Sequence, residues 1–230
     1  MELKNEYPSL SGGARPTYGG SQMLSPRKIV RKCGCGPIAV ADLLIYLSRS
    51  RAGCDTSLTK VIPLYGPAER SVYFSMLNSL CRRYTPMLYP IGTNGIFLAA
   101  GVNAYFRRNK IPLRASWCWG GKKLRTRIAS MLENDLPVIL AIGPNFPFMY
   151  SNRHKVTRYV RQGDRFRQKA KVNAHYVTVT GMEGDWMKIS SWGAEFYISF
   201  NEYETYAKKH SLPLFTNIML LSQKKMSPTT

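Results

Sequence analysis

The stretch CGCGPIAVADLLIYL, residues 33–47, puts Cys35 two positions before Pro37 and then runs straight into an apolar segment. Ile38, Val40, Ala41, Leu43, Leu44 and Leu47 cover most of a helical circumference, which predicts a central, buried helix from Pro37 to about Arg49. Proline suits the first turn, because its missing N–H would have no intrahelical partner there. Cys35 therefore stands at a helix N-terminus, a position that is expected to lower a thiol's pKa, and the thiol there is either a nucleophile or a small buried residue packed at a helix start. A base elsewhere in the chain is needed to decide between them.

Working outward, residues 1–30 are rich in Gly, Ser and Pro and have no sustained apolar period, so they read as an extended arm laid over one domain of residues 31–230. Helices are expected from about Glu69 to Arg83, from Gly95 to Arg108 with Gly101 interrupting, and from Leu124 to Glu133. A strand follows at Val138 to Ile142. Beyond Pro144 the pattern changes to strands: a basic hairpin of Arg153 to Val160 and Arg165 to Val172, then His175 to Thr180, Trp186 to Ser190 and Glu195 to Ser199. Phe200 to Lys208 reads as a short helix and Phe215 to Leu221 as a closing strand. Helices over about 31–135 and a mainly antiparallel sheet over about 136–222 make an α+β layout.

Three histidines are available as a base. His154 sits between Arg153 and Lys155, a solvated setting, and His210 follows a lysine-rich helix end. His175 opens HYVTVTG, where His175, Val177 and Val179 share one strand face, so it is the histidine expected to point inward. Such a base needs a third group to orient it, and ISSWGAEFYIS begins fourteen residues later, at Ile189.

Together, Cys35-Gly36-Pro37 heading a buried helix, Pro137-Val138-Ile139, His175-Tyr176-Val177 and a polar residue before Ser191-Trp192-Gly193 resemble the papain-like cysteine peptidase superfamily. They are most similar to its bacterial C39-like branch and span roughly residues 30–200. The resemblance implies a papain-like fold, the nucleophile helix packed on the sheet, with a cleft between the two parts. It implies Cys35 as nucleophile, His175 as general base and Ser190 as the group orienting the imidazole, acting on an amide or related acyl bond through a thioester. Trp192 would cover the His-Ser contact, and Gly36 would lie beside the substrate. The chain departs from the pattern twice: Ser190 stands where papain-like enzymes have Asn and C39-like ones Asp, and Ile29 stands where a glutamine would serve the oxyanion hole. Gln22 is the only glutamine upstream of Cys35.

Composition supplies a second reading. The formal charge is +20, from 33 Lys and Arg against 13 Asp and Glu, which favours acidic partners. The excess is densest from Arg153 to Lys171, where eight basic residues accompany only Asp164. There Arg158, Arg165 and Arg167 alternate with Tyr159 and Phe166, a surface for an acidic peptide, a nucleic acid or another polyanion. A papain-like fold that has lost its catalysis and serves as a basic binding protein, and an acyltransferase, remain open beside the hydrolase. Five cysteines without a secretory leader read as thiols, and the one C-x-C pair lacks partners for a zinc site, so neither metal nor cofactor is expected. No apolar run approaches a membrane span, and a soluble, cytoplasmic protein is expected.

Overall fold

The computed structural model describes residues 1–89, 92–120, 123–148, 151 and 153–224. The N-terminal part is helical: a 3-10 turn at Gln22–Leu24, then α1 (Lys28–Cys33), α2 (Cys35–Ser50), α3 (Arg70–Arg83), α4 (Gly95–Arg108) and, after strand β1 (Leu113–Trp117), α5 (Leu124–Glu133). The C-terminal part contains β2 (Val138–Ile142), β3 (Val156–Gln162), β4 (Arg165–Val172), β5 (His175–Glu183), β6 (Trp186–Ser191), β7 (Ala194–Ser199), α6 (Phe200–His210) and β8 (Met219–Gln223). Six of these strands form one antiparallel sheet in the order β2-β5-β6-β7-β3-β4, and β1 pairs with β8 in a separate ribbon. The chain is thus α+β, helices first and antiparallel sheet second.

The apolar run after Cys35 is buried throughout, from Gly36 to Leu47, because α2 lies between helices α3 and α4 on one side and strands β2 and β5 on the other. An all-round apolar helix is the kind that tolerates such enclosure. Strand β2 is equally enclosed, with all five residues buried. It carries aliphatic side chains on both faces for that reason.

Three parts of the chain differ from the sequence expectation. The helix α1 occupies KIVRKC, whose six residues are too short to show a period. The closing strand runs Met219–Gln223, later than Phe215, because it pairs with β1, which alternates buried and exposed residues over only five positions. Helix α4 runs unbroken through Gly101. Among the described residues no helix is long and apolar enough to cross a membrane.

The first twenty residues lie along the domain largely without regular structure, held to it by backbone bonds from Leu3 to Thr180 and from Tyr18 to Gly193, and folded on themselves by one from Gly19 to Pro8. Gly19 has a φ of +77°, and a Cβ there would overlap the Ser190 hydroxyl. A Cβ at Gly20 would overlap the Tyr73 hydroxyl. The Gly-Gly pair, read from sequence as a loop signal, is what lets the arm press onto α2 and β6.

Candidate active site

Cys35 is the first residue of α2, and His175 is the first residue of β5, the strand on which α2 packs. Both line a small cavity of about 20 Å³, together with Gln22, Asp42, Tyr176, Ser191 and Trp192. That is room for about one water molecule. A reacting atom fits inside it, and the remainder of any substrate must lie outside.

The backbone N–H groups of Tyr176, Gly36 and Cys35 itself face the Cys35 sulfur. These donors favour a thiolate, as expected at a helix N-terminus. Burial outweighs them and pushes the Cys35 thiol above its ordinary value. The sequence expectation of a lowered thiol pKa is corrected here, since β5 packs over the helix start and leaves Cys35 half-buried. Gly36 is covered likewise: it is buried, and a Cβ there would meet Leu98 and Tyr176. It presents its N–H to the sulfur and no surface to a substrate.

His175 is buried, and burial lowers its pKa to about 3, with the nearby Arg158 guanidinium pushing the same way. The imidazole is neutral at physiological pH. Its Nε2 lies 3.0 Å from the Ser191 hydroxyl, and its ring stacks on Trp192 at 4.4 Å between centroids. The orienting residue is therefore Ser191, a correction of Ser190. The register explains it: Thr178 pairs with Ser190, so Ser190 shares the face of Thr178, and Ser191 takes the opposite face with His175 and Val177. Ser190 instead donates to the Tyr18 carbonyl at 2.7 Å and anchors the arm.

The chain is bent sharply on both sides of this contact. Ala174, immediately before His175, has a φ of +48°, and Trp192, immediately after Ser191, has a φ of +51°. Side chains with a Cβ pay about 1–2 kcal/mol for that conformation. At Trp192 it forms, with Gly193 at +75°, the two-residue turn between β6 and β7, since Ser191 pairs directly with Ala194. This turn delivers the indole to the imidazole.

Arg158 of β3 lies with its guanidinium 3.9 Å from the Trp192 ring and 4.6 Å from that of Phe196. It is 5% exposed, and its Nε and Nη1 have no hydrogen-bond partner among the described residues. Cation–π contact takes the place of an anion, and burial lowers its pKa to about 10. Arg165 and Arg167 are not brought to the site. They are exposed on β4, the far edge of the sheet, three strands beyond β6.

Gln22 is the residue that sequence spacing missed. It is buried in the cavity lining, its Nε2 donates to the Arg31 carbonyl at 2.8 Å, and its Oε1 has no partner among the described residues. Thirteen positions separate it from Cys35, because the 3-10 turn and α1 fold back on each other between them. Ile29, at the spacing the family pattern prescribes, is on α1 and packs against the core. An amide nitrogen has two hydrogens, so Nε2 retains one beyond the Arg31 bond.

Asp42 forms the floor, two helical turns below Cys35. It accepts the Gly20 N–H at 2.8 Å and the Tyr73 hydroxyl at 2.7 Å, and burial pushes its carboxyl up to about 7. It ties the arm that carries Gln22 to the helix that carries Cys35. Cys33 is buried at the end of α1, and Cys54, Cys81 and Cys118 are buried thiols elsewhere.

No model of a known protein family matches the chain, and no curated protein sequence matches it significantly. Among the described residues, no group of three or more His, Cys, Asp or Glu side chains is placed to hold a metal ion.

Proposed function

We propose that the protein is a papain-like cysteine hydrolase of the C39-like kind, cleaving an amide or related acyl bond. The observation that carries this reading is that Cys35 and His175, 140 positions apart, line one cavity, with the imidazole held by Ser191 and Trp192.

Both groups rest neutral, so the thiol does not wait as a thiolate. His175 takes the Cys35 proton as the sulfur attacks the acyl carbon, in the manner of general-base catalysis, and returns it to the leaving group. Ser191 has a hydroxyl that accepts or donates, and fixes the ring without adding charge. The developing oxyanion is met by the backbone N–H groups around the sulfur and by the free hydrogen of Gln22 Nε2. Burial keeps the imidazole unprotonated at rest, and the Arg158 guanidinium over the same indole pushes the same way. Water then loses a proton to His175 and attacks the thioester, releasing the acid as the Cys35 sulfur leaves and regains its proton.

The test is incubation with an activated acyl ester followed by intact-mass and peptide mass spectrometry. A single acyl group on Cys35, absent in Cys35→Ala, is the expected result. Gln22→Ala should slow its formation by about 10²-fold, the usual cost of one oxyanion donor. Acylation spread over other residues, or unchanged in Cys35→Ala, overturns the reading and leaves the basic binding protein in its place.

A further inference from the structure

A second concave feature lies away from Cys35, between the base of the β3–β4 hairpin and α6. It encloses about 670 Å³, within the range of ligand sites. One wall is Arg153, His154 and Lys155, just before β3, with Lys171 near the end of β4. The other is the face of α6 from Asn201 to His210, about 14 Å long at the helical rise.

Three fixed cations, Arg153, Lys155 and Lys171, face one carboxylate, Glu202. That carboxylate is already engaged, accepting the Thr157 N–H at 2.7 Å and the Tyr159 hydroxyl at 3.4 Å. Among the described residues none of the three cations has an ion-pair partner. Between the walls the His154 and His210 rings stack face to face, 3.7 Å apart and 7° from parallel. His210 is fixed from behind, its carbonyl accepting the Phe146 N–H and its ring lying 6.3 Å from that of Tyr206.

We propose that this groove binds a ligand carrying two or more linked phosphate groups. The donors come from three segments and in several directions, which suits tetrahedral oxyanions; a lone carboxylate is best met by a single arginine fork. The length of the groove and its unneutralised charge call for more than one anionic group. His210, stacked on His154, is held below its ordinary pKa by partial desolvation, by the neighbouring His154 and by Lys209. The charged and titratable groups around the pair are Arg153, Lys155, Lys171, Lys209, Glu202 and Tyr206, predominantly cationic. A bound polyanion offsets that repulsion, so binding takes up a proton and strengthens as the pH falls.

Calorimetric titration of the full chain with inorganic tripolyphosphate, orthophosphate and citrate at low salt tests this. Saturable binding of tripolyphosphate is expected, tighter than either other anion and tighter at pH 6 than at pH 8, with proton uptake shown by the buffer dependence of the heat. Lys171→Gln should weaken it by about tenfold, the pH dependence should vanish in His154→Ala/His210→Ala, and Arg165→Gln/Arg167→Gln should have little effect. The assignment is overturned if no saturable binding occurs at either pH. It is equally overturned if citrate binds as tightly, or if the Arg165/Arg167 variant loses as much affinity as Lys171→Gln, which would mark nonspecific attraction to a basic surface.

Discussion

The Ser191 hydroxyl lies 3.0 Å from His175 Nε2, while its neighbour Ser190 faces the opposite side of β6 and bonds the Tyr18 carbonyl. Two adjacent serines therefore have different roles, one in the site and one in holding the arm. Ser191→Ala should slow Cys35 acylation by about tenfold or more at little cost in stability, because the imidazole loses its tether. Ser190→Ala should leave the acylation rate nearly unchanged but destabilise the fold by about 1 kcal/mol, since the part-buried Tyr18 carbonyl loses its partner. Acylation rates and denaturant titrations of the two variants separate these outcomes. The opposite pattern would assign Ser190 to the imidazole.

Arg158 lies over the Trp192 ring on which His175 stacks, and its charge acts on the imidazole. Removing the cation by Arg158→Gln favours the imidazolium, so the His175 pKa should rise from about 3, without reaching its ordinary 6.5 because burial is the larger cause. NMR titration of the His175 ring in both proteins reads this directly. An unchanged or lower pKa in the variant would show that the guanidinium charge does not reach the imidazole.

Asp42 makes stability depend on pH. Its folded pKa, about 7, lies above the ordinary 3.8, so the folded state holds the proton more tightly. The resulting stabilisation is fully present below about pH 4 and is lost as the pH rises through 7. Asp42→Asn mimics the protonated form and should gain on wild type across that window, by up to about 4 kcal/mol at about 1.4 kcal/mol per pKa unit. His175 contributes in the other direction, its neutral form stabilising above about 6.5 and the gain fading toward pH 3. The difference between Asp42→Asn and wild type isolates the carboxyl. A difference that stays constant from pH 4 to 8 would mean that Asp42 is ionised throughout.

Much of this was legible in the sequence wherever a periodic signal was long. The apolar circumference after Cys35 and the alternation in HYVTVTG located α2 and β5, and with them the two residues that meet in the cavity. Spacing within a family pattern was a poorer guide. It pointed to Ser190, although strand register turns Ser191 to His175, and to Ile29, although the chain doubles back to bring Gln22. Neither register nor a fold-back of six-residue α1 leaves a local mark. The thiol pKa was misread for a related reason, because a helix N-terminus is visible in sequence and the strand that buries it is not.

The most direct measurement is the rate of Cys35 acylation by an activated ester between pH 5 and 8, in wild type and His175→Ala. With a neutral imidazole acting as base, the wild-type rate should be nearly flat over that range, since neither His175 nor Cys35 titrates within it. His175→Ala should be slower by about 10²–10⁴-fold and should climb with pH as thiolate appears. Equal rates in the two proteins, both rising with pH, would contradict a Cys35–His175 catalytic pair.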